Sequence, residues 1–301
     1  MGKAENQSQT VGELIGAVAD ELGAAGVFCG HGTANVVDEA ACLVFHVAGL
    51  EHDDADLAGL YARDVAASVV ARVRELLAAR IAGRVPLPYL LHVAWFAGRP
   101  FFVDERVLIP RSPFAELIQK RFEPWVDPSR IRRILEIGTG SGCIAIAAAL
   151  AFPDAEVVAT DISRAALDVA AINVDRYGLS DRLTLVEADL FDGVDGVYDL
   201  IVSNPPYVPD QEVAALPAEY GHEPHSALSC GSDGLESARH ILQDAPRYLD
   251  ADAALALEVG AGWRALEAAF PHLPFVWPEL ESGGEGIGIL FAADLAGAPA
   301  I

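Results

Sequence analysis

The chain has 301 residues, a formal charge of −24 and a hydrophobic content of 52%. This length allows one large domain or two modest ones, each with its own core. No apolar run approaches the ~20 residues that a membrane span needs, and the N-terminus has no signal-peptide apolar region. We therefore expect a cytoplasmic protein that makes no membrane contact.

The charge also bears on partners. Polyanions are bound mainly through lysine and arginine, and the chain has 20 of these against 44 acidic residues, which disfavours direct nucleic-acid binding. The acidity would attract a basic protein substrate, but it could equally serve solubility in salt without meaning for partners. The cysteines are Cys29, Cys42, Cys143 and Cys230. Because they form no Cys-x-x-Cys pair, we expect reduced, buried thiols, no disulfide and no metal site. We expect a monomer.

Three helices are predicted near the N-terminus. The first repeats apolar residues at helical spacing over residues 11–22, and the second follows Asn35, a favourable N-cap. The third is predicted as one unbroken helix over residues 56–82, ended by Gly83. These helices carry no clustered polar chemistry. Residues 1–85 are therefore predicted to form a helical domain without catalytic groups.

Residues 86–112 are predicted to form a linker that contains a β-hairpin, because aromatic and β-branched residues flank two turns there. From Ile131 onward strands and helices alternate, which is typical of an α/β protein with a doubly wound parallel sheet. Strands are predicted at 133–137, 156–160, 183–187, 199–203 and 253–259, helices at 142–151, 164–177, 235–248 and 262–270, and a final antiparallel pair near 275–277 and 286–291. The predicted sheet is seven-stranded and Rossmann-like.

A glycine-rich turn follows the first of these strands, with Gly138, Gly140 and Gly142 at its first, third and fifth positions. Glycine lets backbone N–H groups and a helix N-terminus approach a small ligand closely. A dinucleotide fingerprint needs its third glycine at the sixth position, which is Cys143 here, and no Gly-Lys-Ser/Thr follows for a P-loop. Taken alone, the glycines could also form an ordinary strand-to-helix turn.

The sequence Asn204-Pro205-Pro206-Tyr207 ends another apolar strand. The Asn204 amide oxygen and the Pro205 carbonyl can accept both hydrogens of a planar NH2 group, while the Tyr207 ring packs on its face. An amide nitrogen is a poor nucleophile, so catalysis there would consist mostly of positioning. No strong base is needed if the proton leaves after transfer. The alternative is a proline turn after a buried strand.

Other polar residues also fall where strands end, which is where such sheets bind ligands. Glu136 suits the ammonium of an amino acid, Asp161 the hydroxyls of a ribose, and Asp189 the amino group of an adenine, with Leu190 packing on the ring. Together with the two motifs, this set predicts an S-adenosylmethionine site beside a captured nitrogen. The predicted donor site comprises Glu136, Gly138, Thr139, Gly140, Gly142, Asp161, Ile162, Asp189, Leu190 and Asn204.

The tetrapeptide and the glycine turn resemble those of the amino-methyltransferases. The upstream sequence Val107-Leu108-Ile109-Pro110-Arg111 narrows the resemblance to the protein N(5)-glutamine methyltransferases, and residues 223–224 and 231–235 are similar to the family's later segments. The resemblance covers nearly the whole chain. It implies methyl transfer from S-adenosylmethionine to a glutamine side-chain nitrogen, with Asn204, Pro205, Pro206 and Tyr207 as the catalytic residues.

Within this family, the release-factor enzymes are expected to read Ile-Pro-Arg-Pro-Glu-Thr. Here Ser112 and Pro113 follow Arg111, and Ala94-Trp95-Phe96 precedes, which is similar to the branch that modifies large-subunit ribosomal protein L-three. The resemblance implies a substrate-recognition role for residues 1–85 and a methyltransferase domain over residues 113–301. One alternative is the glutamine of the release factors' Gly-Gly-Gln motif. A more remote one is a DNA adenine-N6 methyltransferase acting on a flipped base, which the acidity disfavours.

Overall fold

The computed structural model describes residues 9–50, 56–281 and 283–296, which form two units. The smaller, helical unit contains the described residues up to Val93 together with Pro217–His222. The larger unit contains Ala94–Leu216 and the described residues from Glu223 onward. Among the described residues, none of the helices has the length and apolar character to cross a membrane.

The helical unit has its own small apolar core. Its helices are α1 (Val11–Ala25), α2 (Val36–Ala48), α3 (Leu57–Tyr61), α4 (Ala67–Gly83) and α5 (Leu87–Leu91). Asn35 caps α2 as predicted, because its side chain accepts the backbone N–H groups of Val37 and Asp38. Leu14, Val18 and Leu43 are almost fully buried in the core of this unit.

The prediction of one unbroken helix over residues 56–82 is wrong. The chain leaves the helical conformation between α3 and α4 because residues at the start of α1 and just before it bind it there. The Val11 N–H donates to the Arg63 carbonyl (2.9 Å), and the Val65 N–H donates to the Gln9 carbonyl (2.8 Å). These partners lie more than fifty residues away in sequence, so helical periodicity gives no sign of them. Helix α5 was also missed, within the predicted linker.

The larger unit begins with the predicted hairpin, β1 (Ala94–Phe96) and β2 (Arg99–Phe101). Its main sheet contains β3 (Arg133–Ile137), β4 (Glu156–Asp161), β5 (Leu183–Glu187), β6 (Tyr198–Ser203), β7 (Leu249–Glu258) and β8 (Ile287–Phe291). The strand order is β5-β4-β3-β6-β7-β8, and all neighbours are parallel except β7 and β8. The α/β prediction is confirmed.

Apolar side chains cover both faces of this sheet, as a doubly wound fold requires. On β3, Ile134 packs into one core and its neighbour Leu135 into a second core. The helices of this unit are α6 (Phe114–Gln119), α7 (Cys143–Ala151), α8 (Arg164–Arg176), α9 (Asp210–Val213), α10 (Glu236–Asp244), α11 (Trp263–Ala269) and α12 (Ala292–Ala296). Ser163 caps α8 as predicted.

The main sheet has six strands over the described residues, where seven were predicted. The segment expected as the seventh makes a single antiparallel bridge, between Val276 and Ile289. Pro274 and Pro278 flank it and donate no backbone hydrogen bonds, so the ladder cannot lengthen. The flanking rings of Phe275 and Trp277 stack with centroids 5.2 Å apart.

All four cysteines are free thiols. Cys143 and Cys230 are buried as predicted, and Cys29 is only half-buried. The prediction is wrong for Cys42, which is exposed on α2. It lies outside the buried stripe that Ala40 and Leu43 form on this helix.

Candidate functional site

A cleft of about 390 Å³ opens in the larger unit where β3, β4 and β6 end. Parallel α/β sheets bind ligands at this edge. Most of the predicted site residues line the cleft: Glu136, Gly138, Thr139, Gly140, Asp161, Ile162, Asp189, Leu190, Asn204, Pro205 and Pro206. The structure therefore brings together, in one place, side chains from segments that are up to seventy residues apart in the sequence.

The glycine turn has the backbone conformation that its sequence predicts. Gly138, Gly140 and Gly142 all have positive φ values, 76°, 55° and 80°, which L-residues adopt only with strain. The N–H groups of Gly138 and Thr139 both donate to the Thr160 carbonyl, at 2.9 and 2.8 Å. Gly142 does not line the cleft; it is the N-cap of α7, where an added Cβ would lie 3.3 Å from the Ala170 side chain.

Glu136 is buried beneath this turn. Its Oε2 accepts hydrogen bonds from the Thr139 hydroxyl and, at 2.9 Å, from the Ala145 N–H. Burial raises the pKa of Glu136 to about 8, while these two hydrogen bonds act in the opposite direction. A cationic group near Glu136 would favour its ionised form, which makes this carboxylate a suitable partner for an ammonium.

Asp161 joins the end of β4 to the glycine turn. Its Oδ2 accepts the Gly140 N–H and its Oδ1 accepts the Ser163 N–H, both at 2.8 Å. Burial raises the pKa of Asp161, and both backbone hydrogen bonds lower it. Each carboxylate oxygen has a second lone pair, so Asp161 could still accept two further donors such as a pair of hydroxyls.

Leu190 and Ile162 give the lining of the cleft an apolar part. Leu190 has a positive φ of 52°, a conformation that residues other than glycine adopt only at an energetic cost. The Thr160 hydroxyl donates to the Leu190 carbonyl at 3.3 Å. Asp189 is exposed, and Ile162 is 64% exposed although it is a large apolar residue. Leu190 and Ile162 could pack on a flat ring, with Asp189 at its edge.

The tetrapeptide follows β6 directly. The Ser203 hydroxyl donates to the Ile137 carbonyl (2.8 Å), which fixes the two strand ends to each other. Asn204 is half-buried at the cleft, and among the described residues its side-chain amide has no hydrogen-bond partner in the protein. Tyr207 is not among the residues that line the cleft; its hydroxyl donates to Glu258 at 3.2 Å.

An ion pair that was not predicted links the segments 107–111 and 223–224, both of which resemble the glutamine methyltransferases. The two terminal guanidinium nitrogens of Arg111, Nη1 and Nη2, donate to the carboxylate of Glu223 at 2.6 and 2.8 Å. The Ile109 N–H also donates to Glu223 at 3.0 Å, and the Glu223 side chain is fully buried. The segment before the sheet is thereby fixed to the segment that follows the tetrapeptide. Neither spacing nor composition predicts this pairing.

Asn173 is a second missed residue. It is fully buried in α8, and its amide NH2 donates to the carbonyls of Phe102 (2.9 Å) and Ser141 (2.8 Å). Its Oδ1 accepts the Phe102 N–H at 2.7 Å. The chain after the hairpin is therefore tied to the glycine turn. A polar residue beside Ala170 and Val174 on the apolar stripe of a helix was the available signal.

Comparison with known proteins gives one matching family and several relatives of this chain. The family described as Methyltransferase small domain matches residues 117–219. A ribosomal protein uL3 glutamine methyltransferase of Bordetella pertussis is 48% identical over 284 residues, which cover 94% of this chain and 95% of the relative. Relatives of the same name are 42% identical in Neisseria meningitidis, covering 97% and 96%, and 41% identical in Francisella tularensis, covering 95% and 91%.

A solved structure supports the fold. The hMettl16 catalytic domain, in complex with MAT2A 3'UTR hairpin 6, aligns with a TM-score of 0.51 at 17% identity, over 74% of this chain and 81% of that one. The glycine turn, the Asn-Pro-Pro-Tyr segment and the full-length similarity agree with one another. The chain belongs to the family of ribosomal protein uL3 glutamine methyltransferases, which are S-adenosylmethionine-dependent enzymes.

Proposed function

We propose that this protein transfers a methyl group from S-adenosylmethionine to the side-chain nitrogen (N5) of a glutamine in ribosomal protein uL3. The names of its relatives support this acceptor. The observation that carries the chemistry is the Asn204 side chain, which lies at the cleft beside the glycine turn and has no hydrogen-bond partner in the described protein. An amide in that position can bind another amide.

The cleft has the groups that the methyl donor requires. A Cβ at Gly140 would meet no atom within 4 Å, so the turn borders open space. We propose that Asp161 accepts the ribose hydroxyls, that Glu136 faces the ammonium and that Asp189 accepts from the adenine amino group. Leu190 and Ile162 would pack on the adenine ring. When bound, S-adenosylmethionine supplies an electrophilic methyl group on a positively charged sulfur.

The tetrapeptide would prepare the acceptor. The Asn204 side-chain oxygen and the Pro205 carbonyl would accept the two N–H groups of the glutamine amide, which draws electron density towards nitrogen and fixes its orientation. The Tyr207 ring would pack against the amide plane, and Pro206 stiffens the turn between these groups. This is catalysis by positioning. The displaced proton leaves after transfer, so no strong base is required.

The placement of the donor predicts the effect of Asp161→Ala. Loss of a charge-assisted acceptor for the ribose should weaken S-adenosylmethionine binding by about 1.5–3 kcal/mol, as measured by titration calorimetry. Asp168→Ala is the control, because Asp168 is an exposed residue of α8 with the same charge. An unchanged affinity in Asp161→Ala would reject this placement of the donor.

The acceptor can be identified by side-by-side assays with purified uL3, a release factor and DNA. We expect the fastest methylation with uL3. Proteins that bind RNA carry many basic side chains, and this enzyme has a charge of −24, so uL3 methylation should slow as salt rises. Faster methylation of the release factor's glutamine would mean that uL3 is not the preferred acceptor, although the reaction would still be glutamine methylation. Methylated adenine in DNA would reject both uL3 as the acceptor and glutamine methylation as the reaction.

We also propose that the helical unit, predicted as residues 1–85, selects the acceptor protein. Among the residues that the structure describes, those that line the cleft all belong to the larger unit. No group of three or more His, Cys, Asp or Glu residues in the described chain is arranged to hold a metal ion. A role in recognition therefore suits the helical unit better than a role in chemistry. A substitution that destabilises this unit should reduce methylation of intact uL3, while the protein still binds S-adenosylmethionine.

A further inference from the structure

A buried carboxyl group lies behind the tetrapeptide, at the end of β7. Glu258 is only 3% exposed. Its Oε1 accepts the Tyr207 hydroxyl at 3.2 Å, and its Oε2 accepts the Ser112 hydroxyl at 2.5 Å. The Ser112 oxygen in turn accepts the Phe114 N–H at 3.1 Å, so its own proton is free to point to Glu258. Glu258 thus accepts hydrogen bonds from two segments that border the cleft.

The same stretch of chain also fixes the face of the Tyr207 ring. Gly260, two residues after Glu258, has a positive φ of 50°. A Cβ at Gly260 would lie 2.8 Å from a carbon of the Tyr207 ring, which is closer than real Cβ contacts come. The absence of a side chain there lets the ring rest on the backbone. The ring face and the hydroxyl of Tyr207 are therefore both held by residues 258–260.

We propose that Glu258 is a positioning residue of the methyl transfer, which holds the Tyr207 ring in place for the acceptor amide and couples it through Ser112 to the Ile109-Pro110-Arg111 segment. The proposal rests on the role of Tyr207 given under the proposed function. Glu258 does not itself touch the acceptor. Its contribution is to limit the motion of a ring that would otherwise rotate away from the amide plane.

The charge state of Glu258 matters for this role. Burial raises the pKa of Glu258 to about 7, opposed by the hydrogen bonds from Ser112 and Tyr207 and by the charge of Arg111. Tyr207 and Arg111 are the titratable groups that act on it, and Arg111 is itself paired with Glu223. An ionised carboxylate accepts from both hydroxyls, whereas a protonated one must use one oxygen as a donor. Positioning should therefore improve as pH rises through about 7.

The decisive variant is Glu258→Gln, which keeps the size of the side chain but offers only one acceptor oxygen. We expect kcat for uL3 to fall roughly tenfold or more, with little change in the Kd of S-adenosylmethionine. The rise of kcat near pH 7 should disappear. Glu258→Asp should recover part of the activity. Glu116→Gln is the matched control, because Glu116 is a buried acid of the same unit that binds Lys120 and the Glu281 N–H.

A second variant keeps the test decisive if Glu258→Gln folds poorly. Tyr207→Phe removes the same hydrogen bond and leaves the ring, so it should lower kcat to a similar extent, and the double variant should be no worse than either single one. Unchanged kcat and pH profile in Glu258→Gln, or additive effects in the double variant, would overturn the inference. If the wild-type protein binds the donor but methylates no glutamine, the proposed function itself fails.

Discussion

Asn204→Ala should lower methyl transfer by at least a factor on the order of 10²–10³, with S-adenosylmethionine affinity almost unchanged. The expectation follows from the position of this amide, which lies at the cleft and is not engaged by any described part of the protein. Its loss removes one of two acceptors for the substrate amide, and the nucleophilic nitrogen then loses its orientation. Single-turnover methylation and calorimetry measure the two quantities separately.

Asn204→Asp gives a sharper test of the same mechanism. Aspartate has nearly the same shape and retains an oxygen acceptor, so it should keep more activity than alanine does. If alanine and aspartate are equally inactive, the side-chain NH2 of Asn204 is needed as well as its oxygen. Near-normal turnover of Asn204→Ala would mean that Asn204 is only a turn residue and that the acceptor binds elsewhere.

The parts of the fold that depend on local signals were predictable. Each of these parts depends on residues that are close to one another in the sequence. They are the Asn35 and Ser163 caps, the glycine turn and the strands that lead to the cleft. That the proposed donor-site residues lie around one cleft could be predicted for a related reason. Parallel strands bring their carboxyl ends to one edge of the sheet, so polar residues after successive strands must lie near one another.

Features that depend on distant partners could not be predicted. The break between α3 and α4 depends on hydrogen bonds with Gln9 and Val11. Pro274 and Pro278 are visible in the sequence, but the N–H that each proline lacks matters only because β8 lies opposite them in the ladder. Arg111 and Glu223 are 112 residues apart, and Tyr207 and Glu258 are 51 residues apart. Motifs mark such residues individually, but only the packed structure shows which of them bind each other.

The largest loss of stability is expected from Arg80→Met, in the helical unit. Arg80 lies in α4 and its side chain is 2% exposed. Its guanidinium binds Glu39 of α2 at 2.7 Å and Glu219 at 3.1 Å, and it donates to the Phe28 carbonyl at 2.8 Å. Both glutamates are also buried. Without Arg80, the carboxylates of Glu39 and Glu219 remain in the interior and lose the cation that binds both of them. Arg84 is a weaker partner, because it lies 3.6 Å from Glu219 and is partly exposed.

Removing one member of a buried ion pair costs about 3–5 kcal/mol, so Arg80→Met should show strongly increased hydrogen exchange in α2 and α4. Arg74→Met is the control on the same helix. Arg74 pairs with Glu21 at the exposed surface, where such pairs contribute about 0–1 kcal/mol. If both variants exchange alike, the buried network is not what holds these helices together.

The Arg80 variant also tests what the helical unit does. Glu219 belongs to the segment Pro217–His222, which packs in the helical unit although it follows the tetrapeptide in sequence. The cleft itself is lined by residues of the larger unit. At a temperature where α2 and α4 exchange freely, Arg80→Met should therefore lose methylation of intact uL3 and still bind S-adenosylmethionine with wild-type affinity. Parallel loss of donor binding would show that the helical unit supports the cleft, and undiminished methylation of uL3 would show that the acceptor is selected by the larger unit.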